Sequence, residues 1–163
     1  MNKKIKLVIT DVDGVLTDGG MYYSEKGDEL KKFNTRDGVG VRLLQEAGID
    51  VCIMTNESTD IVKRRAEKLN ISLVFQGVRD KKAKVLEILG RKDLQPDEVA
   101  YIGDDINDIE VMKLVGFSAT VSDGINIVKE IADCVCSKRG GEGAFREFAD
   151  LILEKRHGER DAK

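Results

Sequence analysis

The chain has 163 residues, a length that suits one domain and is short for two. Apolar residues make up 41% of the sequence, which is enough for a hydrophobic core and argues against disorder. The 27 basic and 30 acidic residues give a net charge of −3, so nucleic acid is not expected as a partner. A single histidine, His157, argues against a Ser-His-Asp triad and against a histidine-rich zinc site. We therefore expect one domain over residues 1–163, with a functional site that does not depend on histidine.

The cysteines and the N-terminal residues indicate the compartment. Residues 5–9 are apolar except for Lys6 and far too few for a membrane-spanning helix, and no signal peptide is predicted before them. Cys134 and Cys136 lack the second Cys pair of a structural zinc site, and we expect them on alternate faces of a short strand. The sequence predicts a cytoplasmic protein with reduced thiols and no membrane partner.

Short β-branched runs alternate with helical patterns, which is typical of βαβ units around a parallel sheet. A strand is predicted at 5–10, and a hairpin follows at 21–33 with its turn at 25–28. The next elements are a helix at 37–47, a strand at 49–54, a helix capped by Ser58 or Thr59 and ending near 69, and a strand at 71–75.

The second half continues the alternation and ends in a helix with one apolar face. Its elements are a helix at 80–89 stopped by Gly90, a strand at 99–102, a short helix to 115, a strand at 117–121, a helix at 125–131, a strand at 134–136 and a helix at 144–155. The pattern predicts an α/β fold with a doubly wound, mainly parallel, Rossmann-like sheet. A small hairpin flap at about 20–34 and a polar, frayed tail at about 156–163 complete it.

Polar side chains follow the predicted parallel strands, where ligands bind in doubly wound sheets. They are Asp11 and Asp13 after the first strand, Thr55 after the second, Lys81 after the third, and Asp104, Asp105 and Asp108 after the fourth. Converging carboxylates repel one another unless a cation lies among them, and their oxygen ligands favour Mg²⁺. The lysine and the threonine hydroxyl suit an anion, of which phosphate is the natural choice.

This set of residues predicts a mechanism. Asp11 attacks phosphorus and forms an aspartyl-phosphate, while Asp13 protonates the leaving alkoxide and later deprotonates water. Thr55 and Lys81 neutralise the phosphate together with the metal. Asp11, Asp13 and Asp104 are the predicted metal ligands. One of the late acidic residues is expected to cap a helix start instead.

Four motifs in this order resemble the haloacid dehalogenase superfamily of phosphatases. They are residues 11–18 (DVDGVLTD), Thr55, Lys81 and residues 103–108 (GDDIND). Further segments resemble the small cap-less branch of that superfamily, which dephosphorylates 3-deoxy-2-ulosonic acids; they are residues 32–38, 75–78, 100–105 and 140–147. The resemblance spans about residues 5–153 and implies a phosphoric monoester hydrolase that uses Mg²⁺.

The spacing of the motifs also leaves no room for a cap domain. The 42 positions from Asp13 to Thr55 are used by the hairpin and a helix, and the 26 positions from Thr55 to Lys81 by a helix and a strand. By resemblance, such enzymes are homotetramers in which the hairpins pack together and a neighbouring subunit covers each site.

The branch includes phosphatases of 3-deoxy-D-manno-octulosonate 8-phosphate and of nine-carbon, sialic-acid-type 9-phosphates. The eight-carbon enzymes usually have Thr-Gly-Arg after the second strand, where this chain has Thr55, Asn56 and Glu57. The acidic residue resembles the nine-carbon group, in which a helical lysine also serves the substrate, and Lys68 holds the matching place. We therefore expect a nine-carbon 9-phosphate, with the eight-carbon 8-phosphate as the alternative. The candidate substrate-binding residues are Glu57, Lys68, Arg36, Asn56, Arg64 and, from the glycine-rich segment, Arg146 or Arg139.

Other classes of protein fit the sequence less well. A non-enzymatic phospho-receiver module also uses acids, Thr, Lys and Mg²⁺, but its phospho-accepting Asp ends the third strand, where this chain has Gln76 and Gly77. An inactive interaction domain would not need the intact set of motif residues. A glycosidase with two carboxylates would not need Thr55 and Lys81.

Overall fold

The computed structural model describes residues 5–161, except for the side chains of residues 28, 29 and 157–161. Within this part of the chain, six strands form one parallel sheet and two more form an antiparallel hairpin. The strands are β1 (Leu7–Thr10), β2 (Tyr22–Ser24), β3 (Gly27–Leu30), β4 (Asp50–Met54), β5 (Leu73–Phe75), β6 (Val99–Gly103), β7 (Phe117–Thr120) and β8 (Cys134–Val135).

The strand order in the sheet is β5-β4-β1-β6-β7-β8. From β1 the chain adds β4 and β5 on one side, and it then returns to place β6 against the other side of β1. The direction of winding therefore reverses between β1 and β6. In open α/β sheets, ligands bind at such a reversal beyond the carboxyl ends of the strands. The predicted doubly wound, parallel sheet is confirmed.

Helices cover both faces of the sheet. They are α1 (Thr35–Glu46), α2 (Asp60–Lys68), α3 (Lys81–Lys92), α4 (Ile109–Met112), α5 (Asn126–Ile131) and α6 (Ala144–Asp161). Val8 of β1 faces one apolar cluster, built from α1, α2 and α6, and its neighbours Leu7 and Ile9 face the other, built from α3, α4 and α5. Both faces of β1 are thus buried, as in other parallel sheets. Among the described residues, no helix has the length and apolar composition needed to cross a bilayer.

Several element ends differ from the sequence prediction, most clearly those of α3, α6 and the hairpin. Helix α3 runs through Gly90 and ends at Asp93, whose left-handed conformation (φ 51°) and N–H bond to the Leu89 carbonyl close the helix instead. Helix α6 continues to Asp161, past the predicted end at residue 155, and residues 162 and 163 of the predicted tail lie outside the described residues. The hairpin strands are shorter than predicted, and the turn between them is residues 25–26.

The prediction for the two late cysteines was wrong in one respect. Cys134 and Cys136 contact the same apolar cluster, because side chains two residues apart in an extended chain share a face. Burial raises the pKa of both thiols, which keeps them protonated and unreactive. They act as small apolar residues of the core.

Candidate active site

The loops after β1 and β6 bring acidic side chains together. The backbone N–H of Asp11 donates to the carbonyl of Ile102, 3.1 Å away, which ties the two strand ends to each other. As a result, carboxylate oxygens of Asp11, Asp104 and Asp108 all lie within 4.8 Å of one another. The predicted convergence of the first and fourth motifs is therefore present.

Two glycines allow this close approach. A Cβ at Gly14 would lie 2.0 Å from Oδ2 of Asp104, and the residue has a left-handed φ of 87°. A Cβ at Gly103 would lie 2.3 Å from Cγ of Asp108. The acidic side chains occupy the space that larger residues at these two positions would fill.

Lys81, the first residue of α3, lies behind the acidic cluster with no exposed side-chain surface. Its Nζ atom is 3.0 Å from Oδ1 of Asp11 and 2.7 Å from Oδ1 of Asp108. Burial opposes the charged form of the lysine, but the two carboxylates outweigh it and raise the Lys81 pKa above its usual value. The ammonium is therefore retained and fixes one oxygen of Asp11.

Asp108 is fully occupied by donors of the protein itself. Its Oδ1 atom accepts from Lys81 and from the hydroxyl of Tyr101, and its Oδ2 atom accepts from the N–H groups of Asp104 and Asp105 at 2.9 and 3.2 Å. Together with Asp105, it forms a capping box at the 3-10 turn 106–108, which confirms that some of the late acidic residues cap a helix start. We therefore regard Asp108 as an anchor of the loop rather than as a metal ligand, despite its proximity.

Asp11 and Asp104 have the properties of a cation site. Burial raises the pKa of Asp11 to about 6, against the opposing charge of Lys81. Burial, together with the charges of Asp11 and Asp108, raises the pKa of Asp104 to about 8. A divalent cation would relieve this repulsion, and a donor set of oxygen atoms alone suits Mg²⁺.

Asp13 lies beside this pair, but its carboxylate is bound differently. Its Oδ1 atom accepts a 2.6 Å hydrogen bond from Lys31, and its Oδ2 atom is buried with no hydrogen-bond partner among the described residues. Lys31 was not among the site residues predicted from the sequence. The available signal was a lysine within the second predicted hairpin strand.

Thr55 follows β4, and the neighbouring loop after β5 holds it in place. Its N–H donates to the carbonyl of Phe75, and its carbonyl accepts from the N–H of Val78. The Oγ1 atom accepts from the N–H of Glu57 at 3.3 Å, so the hydroxyl proton is available to a bound anion.

A cavity of about 430 Å³ opens at this end of the sheet. The predicted site residues that line it are Asp11, Asp13, Thr55, Asn56, Glu57 and Asp104. Asn107 also lines it, and its Oδ1 atom is buried without a hydrogen-bond partner among the residues that the structure describes. The sequence motifs did not single out Asn107, because it lies between two acidic residues that fit the pattern better.

Four other predicted substrate residues lie elsewhere. Arg36 and Arg146 line a second cavity of about 430 Å³ between α1 and α6, where Arg146 pairs with Asp150 at 2.9 Å. Arg64 and Lys68 are exposed on α2 and are not among the described residues that line the first cavity. Within one chain, the structure does not bring these four residues to the acidic cluster.

A buried carboxylate joins the starts of α1 and α6. Oδ1 of Asp37 accepts from the N–H of Arg146 at 3.0 Å, and its Oδ2 atom is buried without a hydrogen-bond partner within the described part of the chain. Burial raises the pKa of Asp37 to about 6, although the Arg146 N–H and the charge of Arg65 oppose the shift. This residue supports the fold close to the second cavity.

Comparison with known proteins identifies the family. A profile of haloacid dehalogenase-like hydrolases matches residues 74–147. The 3-deoxy-D-manno-octulosonate 8-phosphate phosphatase of Haemophilus influenzae is 40% identical over 152 residues, which cover 93% of this chain and 84% of that protein. The Yersinia pestis enzyme of the same name is 45% identical over 149 residues, covering 91% of this chain and 80% of that protein.

The solved structure of another phosphatase with this name has a very similar fold. The 3-deoxy-D-manno-octulosonate 8-phosphate phosphatase of Moraxella catarrhalis, in complex with magnesium, phosphate and KDO, superposes with a TM-score of 0.90 at 38% identity. The match covers 94% of this chain and 88% of that chain.

The chain therefore belongs to the haloacid dehalogenase-like hydrolases and is a phosphoric monoester hydrolase. Phosphatases of this family use Mg²⁺, and the Asp11–Asp104 pair offers oxygen ligands for that ion. The phospho-receiver, interaction-domain and glycosidase alternatives are excluded by this membership.

Proposed function

We propose that the chain removes the terminal phosphate from a 3-deoxy-2-ulosonate phosphate through an aspartyl-phosphate on Asp11. The observation that carries the proposal is one cavity lined by Asp11, Asp13, Thr55 and Asp104, with Lys81 paired to Asp11 from behind. The relatives with 40 and 45% identity, which are named as phosphatases of such a substrate, support the substrate class.

In the first proposed step, a carboxylate oxygen of Asp11 attacks phosphorus. The new oxygen–phosphorus bond forms as the bond from phosphorus to the sugar oxygen breaks, and Asp13 gives its proton to that oxygen. Lys81 fixes the other side of the nucleophile, and the Thr55 hydroxyl donates to a phosphoryl oxygen. The sugar leaves as a neutral alcohol.

In the second step, Asp13 is a carboxylate and takes a proton from water. The water oxygen bonds to phosphorus as the bond from phosphorus to Asp11 breaks, which releases inorganic phosphate. Both steps use the same proton-transfer group in opposite directions. The residues thus return to their starting protonation states.

Asp11 and Asp104 would hold the metal ion through their carboxylates, and Asp13 is the third proposed ligand through its main-chain carbonyl, because Lys31 and the proton transfer use its carboxylate oxygens. When bound, Mg²⁺ neutralises charge on the phosphoryl oxygens. The raised pKa values of Asp11 and Asp104 support this assignment, because both carboxylates are unfavourably charged without a cation.

Glu57 is the residue that bears on the size of the sugar. It lines the cavity next to Asn56, and a carboxylate there accepts hydrogen bonds from sugar hydroxyls. We infer that a nine-carbon 9-phosphate is preferred. An eight-carbon 8-phosphate is the second candidate, favoured by the names of the relatives.

We further propose that the chain is one cap-less domain that works as a homotetramer. The hairpin exposes an apolar surface whose residues are Met21, Tyr22, Tyr23 and Leu30, between 46 and 66% exposed. Packing of this surface between subunits would cover the open cavity. It would also allow Arg36, Arg64, Lys68 and Arg146 to reach a neighbouring site, which they do not reach in their own chain.

The activity is tested by phosphate release with Mg²⁺ from a panel of ulosonate phosphates. Asp11→Asn should abolish turnover and leave the circular dichroism spectrum unchanged. Substantial turnover by this variant would overturn the assignment of the nucleophile.

The choice of sugar is tested with Glu57→Ala and Lys68→Ala, each beside an exposed control of the same charge on α2, Glu67→Ala or Lys63→Ala. Loss of one charged contact costs about 2 kcal/mol, or roughly thirtyfold in kcat/KM. We expect this loss for the nine-carbon substrate and not for a small phosphate ester. Better turnover of the eight-carbon substrate by the wild type would select the second candidate.

The assembly is tested by sedimentation at the assay concentration. A tetramer is expected, and Tyr23→Glu should dissociate it and lower activity. A fully active monomer would contradict this part of the proposal.

A further inference from the structure

Lys31 lies just after β3, where the hairpin returns to the body of the protein. Its side chain has no exposed surface, and its Nζ atom donates to Oδ1 of Asp13 at 2.6 Å. Lysine side chains are almost never fully buried unless they are paired. An antiparallel bridge between Thr17 and Phe33 fixes the base of the hairpin beside the Asp13 loop. The contact therefore joins the hairpin to the loop that bears Asp13.

The two oxygens of Asp13 have different surroundings. Lys31 holds Oδ1, whereas Oδ2 is buried with no hydrogen-bond partner in the part of the chain that the structure describes. Asp13 also lines the cavity shared by Asp11 and Thr55. The ion pair thus fixes the rotation of the carboxylate and leaves Oδ2 as the oxygen to which no described residue donates.

We propose that Lys31 is a positioning residue that holds Asp13 in the orientation needed for proton transfer, and so makes catalysis depend on the placement of the hairpin. This inference rests on the proposed function of Asp13. Lys31 itself does not touch the reacting atoms. It acts by keeping Oδ2 of Asp13 facing the oxygen that receives or gives up a proton.

The proton delivered by Asp13 matters most when the leaving group is a strong base. A sugar alkoxide needs a proton as its bond to phosphorus breaks, whereas p-nitrophenolate leaves without one. The ratio kcat/KM reports only the steps up to release of the alcohol, so it isolates this first proton transfer from the later attack of water. A misplaced Asp13 should therefore lower kcat/KM for the sugar phosphate far more than for p-nitrophenyl phosphate.

The test compares Lys31→Met, Lys31→Arg and the control Lys32→Met, which changes the exposed neighbouring lysine. Positioned proton transfer contributes about 10²-fold or more to such a step. For Lys31→Met we expect the selectivity for the sugar phosphate over p-nitrophenyl phosphate to fall about 100-fold. Lys31→Arg should restore most of it, and Lys32→Met should leave it unchanged.

Equal losses on both substrates, or no loss on either, would overturn the inference. Folding of each variant is checked by circular dichroism, and if Lys31→Met does not fold, Lys31→Gln is measured by the same ratio. In an Asp13→Asn background, Lys31→Met should cause no further loss, and an additive loss would also refute a role through Asp13. Absence of phosphatase activity in the wild type would instead refute the proposed function.

Discussion

Replacement of Asp108 by asparagine tests whether this residue anchors the site. The side chain is fully buried and accepts from four donors: Lys81 and Tyr101 at one oxygen, and the N–H groups of Asp104 and Asp105 at the other. Asparagine has nearly the same shape but only one oxygen. In Asp108→Asn, one pair of donors must therefore face an amide group that cannot accept from them.

The magnitude follows from these contacts. Removing one partner of a buried ion pair costs about 3–5 kcal/mol. We take the lower end, about 3 kcal/mol, because Lys81 keeps its 3.0 Å contact with Asp11. For a chain of this size, each 1 kcal/mol lowers Tm by about 2–4 °C, so the expected decrease is about 6–12 °C.

Thermal unfolding of Asp108→Asn and of Asp105→Asn provides the assay. Asp105 is exposed and caps the same turn, so its replacement should cost no more than about 1 kcal/mol. Titration with Mg²⁺ should also show weaker binding for Asp108→Asn, because the loop that places Asp104 loses its anchor. Equal Tm values for the two variants would show that the buried contacts of Asp108 do not stabilise the fold as argued.

Three further predictions concern the same region. Gly14→Ala should weaken Mg²⁺ binding at least tenfold in a calorimetric titration, because its Cβ would lie 2.0 Å from Oδ2 of Asp104; unchanged affinity would contradict the close packing. Mg²⁺ should raise Tm more at pH 8.5 than at pH 6, because protons compete with it for Asp11 (pKa about 6) and Asp104 (pKa about 8). A larger increase of Tm by Mg²⁺ at pH 6 would refute this metal site. Asp37→Asn should stabilise the fold by about 2 kcal/mol at pH 7.5 and by less than half of that at pH 4.5 in urea unfolding. The sign follows because the pKa of about 6 in the folded protein lies above the ordinary value of 3.8, so the charged form destabilises the fold above pH 6. This penalty is lost as pH falls below 4, and destabilisation by Asp37→Asn at pH 7.5 would contradict the prediction.

Features that depend on local pattern could be predicted from the sequence. The apolar run of β1 followed by Asp11 and Asp13 indicated a buried parallel strand with acidic residues at its carboxyl end, and the structure has this arrangement. The alternation of strands and helices likewise predicted the doubly wound sheet. Both of these predictions depend on residues that are close together in the sequence.

Features that depend on tertiary distances could not be predicted. The motif spacing treats Asp104 and Asp108 alike, and only the four donors around Asp108 reveal that its oxygens are occupied. Arg36 and Arg146 were grouped with the substrate residues, but packing of α6 on α1 places them at a separate cavity. The contact of Lys31 with Asp13 joins residues 18 positions apart through the fold of the hairpin, which no local pattern encodes.

The end of α3 shows that the backbone cap at Asp93, rather than the low helix propensity of Gly90, sets where the helix ends. Gly90 has the lowest helix propensity of any residue except proline, and it predicted a helix end. The helix instead gains another turn, in which Arg91 and Lys92 complement the helix dipole before Asp93 adopts the left-handed conformation.

Trapping of the phosphorylated enzyme tests the central claim most directly. Borohydride reduces an aspartyl-phosphate to homoserine, which tandem mass spectrometry locates in the chain. After mixing with Mg²⁺ and a sugar acid phosphate that the enzyme turns over, homoserine is expected at position 11, and it should be absent when substrate is omitted. Homoserine at position 13 or 104, or none at all during rapid turnover, would contradict Asp11 as the nucleophile.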